Sequence, residues 1–371
     1  MNTRVVKITA PAVGDSKDPN DARRDASFKD RVEADIDEAS RKKKPDTGWL
    51  ERFKLTEQEV NALVEPEWIY ENLIIRSHLI VIPAAPGAGK TTIMMTVAGE
   101  MANSGFNVIY VNADVGGGDV KAMQTMADNM GFHLLLPDMK AGLSMDDVVQ
   151  KIEDMNQLAA DYSEMVFIFD TLKKMTDVIN KSRAKGLYKT LRGLTAKGMT
   201  IILLAHTNKY ADQDGKPIYE GTGDLRSDVD DMIYFIPKKN PDGSLTVSSD
   251  PLSASAKRRG NHQPITFNIS PERVVTRCAE YVDTAAQLKS DKQRQADESV
   301  IESITEAIQA GKIKQVEVID WCREHHTIGR KTVERVLKRY IGKLWQRQRS
   351  FQKNSWNYSL VESTPTGSGT N

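Results

Sequence analysis

Apolar side chains in this chain come in short unbroken runs, separated by stretches with helical spacing. "LIVIP" (79–83), "FNVIYVNAD" (106–114), "EMVFIFDTL" (164–172) and "GMTIILLAHTNK" (198–209) are apolar through their middles. A strand apolar on both sides must be covered on both faces. Such runs alternating with helices therefore predict a mostly parallel central sheet between helical layers, an α/β core. One helix is expected after the first run, through Met101, and a methionine-rich one over "DVKAMQTMADNMG" (119–131). "DDMIYFIPK" (230–238) and "SLTVSS" (244–249) read as further strands.

Beyond residue 286 the pattern changes. "QLKSDKQRQADE" (287–298) is polar and charged and reads as a linker. "ESVIESITEAIQAG", "KQVEVIDWCREHH" and "RKTVERVLKRYIG" have helical spacing, and "KLWQRQRS" and "NSWNYSLV" are strand-like pieces around a polar turn. Three helices and a hairpin predict a small C-terminal winged helix-turn-helix domain over 299–361. Trp321, Val333, Leu337, Leu344 and Trp356 are its expected core. The α/β domain is placed at 55–286. Residues 1–54 carry mixed charges and predict a flexible arm, and 362–371 a disordered tail.

Composition adds bounds. The chain has 371 residues, 39% hydrophobic and 27% charged, as expected of a globular protein. No apolar run approaches the roughly 20 residues that span a bilayer, and the N-terminus has no apolar signal core, so no membrane association is expected. The two cysteines, Cys278 and Cys322, lie far apart, which fits a reducing, cytoplasmic setting. Basic and acidic side chains balance at 51 each, so any nucleic-acid surface must come from local clustering. Such a cluster exists: nine basic residues and one acid lie between Arg330 and Lys353. Arg330, Lys331, Arg335, Lys338 and Arg339 fall on the third helix, and Arg347 and Arg349 on the expected wing. A basic helix of this kind suits duplex phosphates and a major groove; the alternative is a solvated face on a protein-contact module.

The strongest chemical signal follows the first apolar run. Gly87 and Gly89 allow backbone N–H groups to turn toward an anion, and the helix N-terminus adds a favourable dipole. Ala85, Pro86, Gly87, Ala88, Gly89, Lys90, Thr91 and Thr92 are the candidate phosphate-binding residues, with ATP the expected nucleotide. Lys90 would meet the β- and γ-phosphates, and the Thr91 hydroxyl would ligate Mg²⁺. Ala84 stands where such a motif usually begins with glycine. Asp170 ends its strand where a carboxylate can hold Mg²⁺ or its water. Asp114 ends another, where it could polarise the attacking water or cap a loop beside Gly116–Gly118. His206 ends a third and is a candidate sensor of the γ-phosphate.

Together "APGAGKTT", "YVNAD", "FIFDTL", "ILLAHTNK" and "SAKRRG" resemble the RecA-like core of hexameric helicases. The plasmid RepA helicases are the particular likeness, with the DnaB and KaiC proteins as wider relatives. The resemblance runs from about Glu67 to Ile269. It implies a homo-oligomer, a hexameric ring, with Lys257 and Arg259 of "SAKRRG" reaching the neighbouring subunit's γ-phosphate. In that family the residue at the position of Asp114 is usually Glu. The implied activity is ATP-driven movement on single-stranded DNA through a central pore, as a replicative helicase of a plasmid, phage or other mobile element. Lys174, Lys181, Arg183, Lys209 and Lys216, in the segments after Asp170 and His206, are candidate pore contacts. The alternatives are an ATPase switch or loader, and a DNA-binding regulator that hardly turns nucleotide over.

Overall fold

The computed structural model describes residues 30, 33, 34, 37, 47–61, 67–176, 181–211, 217–221, 224–349 and 355–361. The expected tail, most of the expected arm, and Lys216 lie outside them. The chain divides into two compact units, Met1–Glu65 and Pro66–Asn371. In the first, a 3-10 turn over Gly48–Phe53 precedes the short helix α1 (Glu57–Asn61). The Thr56 N–H donates to Glu59 Oε2 at 2.6 Å and the Glu59 N–H to Thr56 Oγ1 at 3.2 Å, which starts that helix with reciprocal caps.

The second unit opens with the antiparallel pair β1 (Trp68–Tyr70) and β2 (Ile74–Ile75). The alternation read from the apolar runs follows. Strand β3 (Leu79–Ala84) leads into α2 (Lys90–Asn103), and β4 (Asn107–Asn112) into α3 (Val120–Met130). After β5 (His133–Leu135) come α4 (Met145–Gln157), β6 (Met165–Asp170), α5 (Leu172–Met175), α6 (Lys181–Thr195) and β7 (Thr200–Ala211). β8 (Pro217–Tyr219), α7 (Asp224–Asp228), β9 (Asp231–Met232) and β10 (Tyr234–Lys239) complete this part. The parallel order is β10-β3-β7-β6-β4-β5. Alternate residues of each strand serve opposite layers. Ile80, Ile82, Val108, Tyr110, Val166, Ile168, Ile202 and Leu204 pack with α2 and α3 in one core. Leu79, Val81, Ile109, Val111, Phe167, Phe169, Ile201 and Leu203 pack with α4 and α6 in the other. Two-sided burial is why these runs show no polar alternation.

Three features depart from the sequence reading. The sheet gains an antiparallel extension, β11 (Leu245–Asp250), β12 (Thr266–Ile269) and β13 (Val275–Arg277), beside β10. β7 does not stop at His206 but runs to Ala211 and pairs with β8 as a hairpin. The expected linker is helix: α8 (Thr284–Gln309) runs unbroken for 26 residues. The Asp283 side chain caps it, accepting from the Ala286 N–H at 2.8 Å. The first turn is pinned to the sheet, where Thr284 Oγ1 donates to the Ile236 carbonyl at 2.8 Å. Lys238 reaches Asp291 at 3.0 Å. The polar composition reflects one solvated side of a helix rather than an open connector.

After α8 come α9 (Gln315–His326), α10 (Arg330–Arg339) and an antiparallel hairpin of β14 (Trp345–Arg349) and β15 (Trp356–Leu360). Val300, Ile304, Val318, Cys322, Val333, Leu337 and Tyr358 share one core with Trp345, which is fully buried. The Trp345 indole N–H donates to the Leu337 carbonyl at 2.8 Å. Trp356, read as core, lies instead at the surface, with the Arg347 guanidinium 4.0 Å above its ring. A hairpin strand alternates its faces, and Tyr358 takes the inward position. Among the described residues no helix is long and apolar enough to cross a membrane.

Trp345→Ala removes both the largest side chain of this C-terminal core and its carbonyl bond. It should destabilise these helices by about 3–5 kcal/mol, the usual cost of deleting a buried aromatic. Limited proteolysis should then cut after residue 300 while nucleotide affinity holds. Cleavage unchanged from the parent would overturn this account of the core.

Candidate active site

Strand register brings the chemistry to one edge. Ala84 stands opposite His206, Asp170 opposite Leu204, and Asn112 opposite Asp170. The carboxyl ends of β3, β7, β6 and β4 are therefore level. The loop leaving β3 turns through Gly87 (φ 72°) and Gly89 (φ 77°). Gly89 sits at the start of α2, and a Cβ there would come within 2.3 Å of Ile269 Cδ1 from β12. Lys90 is 6% exposed, and its Nζ donates to the carbonyls of Ala84 (3.2 Å) and Ala85 (3.4 Å). Burial lowers its pKa, against the nearby Asp170 and Asp114 charges. A buried ammonium held over a loop of backbone N–H groups is a cradle for phosphate charge.

Next to it, Thr91 Oγ1 donates to Asp170 Oδ2 at 2.6 Å, and the Tyr110 hydroxyl donates to the same oxygen at 2.9 Å. Asp170 is 4% exposed. Burial raises its pKa, and the two hydroxyl donors and Lys90 oppose the rise. An alcohol and a carboxylate side by side are hard oxygen donors of the kind Mg²⁺ takes. These residues open onto a cavity of about 830 Å³ that the loop, Asn112, Asp114, Asp170 and His206 line together. Its far wall is built by Leu245 and by the β12–β13 turn, Ile269 to Arg273.

A second cavity, of about 690 Å³, adjoins it. Asp114, Thr171, Lys173, Lys174, His206 and Glu220 line it. The lysines of α5 each pair with a carboxylate there: Lys174 with Asp114 at 3.7 Å, Lys173 with Glu220 at 3.5 Å. Asp114 is half exposed, and its N–H donates to the Asn112 side chain at 2.8 Å. His206 is half-buried, and its Nδ1 has no partner among the described residues. Burial and then Lys90 lower its pKa, so it is held as the neutral imidazole.

The structure thus brings together the loop residues, Asp114, Asp170 and His206. It does not bring Lys257 and Arg259 to them. Lys257 donates to the carbonyls of Ser227 (2.9 Å) and Val229 (2.6 Å), and Arg259 meets Asp230 at 2.9 Å. Asp231 stands opposite Ile80, at the far end of β3 from the loop, roughly 15–20 Å away at about 3.3 Å per residue. Of the basic candidates, Lys174 is occupied by Asp114. Lys181, Arg183 and Lys209 lie on α6 and β7, with side chains outside the described set. On α10, the half-exposed Arg335 lies 3.4 Å from the buried Asp297 of α8, Arg339 pairs with the same carboxylate, and Arg330 pairs with Glu334 at 2.8 Å. Lys331 and Lys338 are exposed on that helix, as are Arg347 and Arg349 on β14.

In this sheet a strand, β7, stands between the phosphate-loop strand and the strand ending in Asp170. Residues 50–212 match the family model described as "AAA domain". The match spans the phosphate loop and strands β3 to β7. A curated relative, DNA repair protein RadA of Bacillus subtilis, is 23% identical over 172 residues, 44% of this chain but only 33% of RadA. Solved structures with similarity include the flagellar accessory protein FlaH of Methanocaldococcus jannaschii (15% identity, TM-score 0.40, 56% of this chain and 92% of that one). Another is a DnaB-like replicative helicase described with its interactions with primase (13% identity, TM-score 0.38, 65% and 69%).

Within this α/β domain, sequence reasoning missed Tyr110, a core residue by its pattern whose hydroxyl donates to Asp170. It also missed the far wall, since Ile269 and Arg273 are distant in sequence from the loop and carry no motif. Lys174, a candidate pore contact, is paired with Asp114, and Lys173, which the sequence does not single out, with Glu220.

Asp170→Ala removes the acceptor of Thr91 and one oxygen donor. The Mg²⁺ concentration needed for hydrolysis should rise by about tenfold or more, as when a group holding a metal's ligand is lost. Circular dichroism should be unchanged. An unaltered Mg²⁺ titration would remove Asp170 from the metal.

Proposed function

We propose that this chain is an ATP-hydrolysing, oligomeric motor that moves on nucleic acid, a replicative DNA helicase of a plasmid, phage or other mobile element. The observation that carries the ATPase part is the Thr91–Asp170 pair beside the buried Lys90. ATP would lie with its phosphates on residues 85–92, and Thr91 and Asp170 would hold Mg²⁺. Mg²⁺, when bound, supplies charge neutralisation of the phosphates. Lys90 holds the phosphate charge as a point partner. Asp114, once Lys174 lets it go, orients and deprotonates the attacking water. His206, neutral and unpartnered at Nδ1, contacts the γ-phosphate and reports its loss along β7 into the β7–β8 hairpin.

The motor part is supported by the ends of the strands. The segment after Asp170 and the hairpin after His206 both start at the catalytic edge, so a change at the phosphate can move both. Both carry basic residues suited to a single strand. The winged-helix reading of residues 299–361 adds a duplex contact through Lys331, Lys338, Arg347 and Arg349. Arg335 and Arg339 also pair with Asp297 of α8.

One observation favours the slow-switch alternative. Asp114 is short and already paired with Lys174, an arrangement suited to low turnover until something claims the lysine. Asp114→Asn tests this. If Asp114 activates water, hydrolysis should fall by about a hundredfold or more, with nucleotide affinity intact. A small effect would favour the switch or move the role to Glu220.

Arg259 decides between ring and lone ATPase. Arg259→Ala should bind ATP normally and hydrolyse it about a thousandfold or more slowly, as with other missing fingers. Lys90→Ala should be inactive through its own loop. Mixed at equal ratio, the two should regain activity at interfaces where an intact loop meets an intact Arg259. No recovery, in oligomers shown by mass to be mixed, would reject the inter-subunit site.

A further inference from the structure

Arg259 is not a loose side chain, and the way it is held suggests a role for residues far from any phosphate. We propose that Asp230 is a positioning residue that orients Arg259 for a neighbouring subunit's nucleotide. This rests on the inter-subunit reading above and extends it.

Asp230 is almost fully buried where β3 begins. One of its oxygens, Oδ2, accepts from the Leu79 N–H at 2.9 Å and from Arg192 at 2.5 Å. Those two donors already serve that oxygen with a charge and a rigid backbone. Oδ1 is left for Arg259, whose Nη1 lies 2.9 Å away. The backbone of the same loop is clipped independently. The Arg259 N–H donates to Asp231 Oδ1 at 2.8 Å, and Asp231 Oδ2 is in turn paired with His78 Nδ1 at 2.6 Å. Lys257 is bound through its main chain to Met232, at 2.7 and 3.0 Å, and through Nζ to two carbonyls of the same segment. Residues 257 and 259 are therefore fixed on one short stretch, 227–232, that hydrogen-bonds to β3.

Yet Arg259 remains 56% exposed. A buried acid whose only purpose was burial would draw its partners inward, as Asp297 does with Arg339. Here one guanidinium nitrogen is anchored and the rest of the planar fork faces outward. An arginine held in this way has given up most of its rotamer freedom before any partner arrives, which is what orientation toward a transition state requires. Arg258, between the two, turns back to the His262 carbonyl at 3.1 Å, so the alternation along the loop selects positions 257 and 259 for the anchored face.

The test places Asp230→Asn in each of two roles in the full chain. Added to Lys90→Ala, which supplies Arg259, it should cut the activity restored to Arg259→Ala by about tenfold or more, since small misplacement of a reacting group is costly. Added instead to Arg259→Ala, which supplies only the phosphate loop, it should leave the restored rate within about twofold, as separate sites act independently. That asymmetry is something a merely structural acid would not produce. Full restoration in the first role, or equal loss in both, overturns the assignment. If Asp230→Asn does not fold, as circular dichroism would show, Asp231→Ala enters the same two roles, because it removes the acceptor of the Arg259 N–H; symmetric loss or none there also overturns it. If the parent pair regains nothing in proven mixed oligomers, the inter-subunit reading itself has failed, and this proposal falls with it.

Discussion

A carboxylate buried at the end of a parallel strand must find donors, and Asp170 finds them in Thr91 and Tyr110. Everything else at the site depends on this arrangement. Burial at 4% exposure disfavours the ionised acid and raises its pKa, and the two hydroxyls and Lys90 oppose that rise. Two hydroxyls and the nearby Lys90 hold it as an acceptor. Each donor comes from a different element, Tyr110 from β4 and Thr91 from the start of α2. The three can meet only if β4, β6 and β3 keep their register. A slip by one residue in any strand would swap its two faces between the cores and carry the donor away from Asp170. The two-sided apolar packing that fixes register is thus also what builds the site.

The phosphate loop depends on a part of the fold that carries no motif. Gly89 has a left-handed backbone, so any side chain there is strained, and it would also have to displace the end of Ile269. Ile269 belongs to β12, in the antiparallel extension. The extension therefore closes the nucleotide cavity as well as capping the edge of the sheet. Its turn also brings Arg273 within 3.7 Å of Asp119, the residue before α3, across the cavity's outer side.

Much of this was legible in the residues. Continuous apolar runs identified the parallel strands, and the residues that end them identified the edge where chemistry collects. Lys90, Thr91, Asp170, Asp114 and His206 meet there as those strand ends required. What could not be read has a common physical cause. Long-range pairing decides it. β12 and β13 are short and lack a distinctive period, and they exist because β11 offers an edge. The 287–298 segment looks like a linker because its polar residues face water, while one capped end and one buried Asp297 hold it as helix. Trp345 and Trp356 are indistinguishable by composition; only hairpin register decides that the first is buried and the second is covered by Arg347.

The strand β3 joins two charge systems of opposite purpose. At its carboxyl end a buried lysine and a glycine loop await phosphate; at its amino end buried acids hold a basic loop. The strand is rigid, six residues long and hydrogen-bonded on both sides. Its length, roughly 20 Å at about 3.3 Å per residue, exceeds the reach of an arginine side chain. One chain therefore cannot bring its own Arg259 to its own Lys90 without breaking the sheet. Whatever couples them must travel through the sheet or through a second copy of the chain. Because β3 is buried on both faces and paired along both edges, it transmits position rather than flexing. A shift at the phosphate loop would then be passed along β3 to Asp230, and with it to the arginine that Asp230 holds.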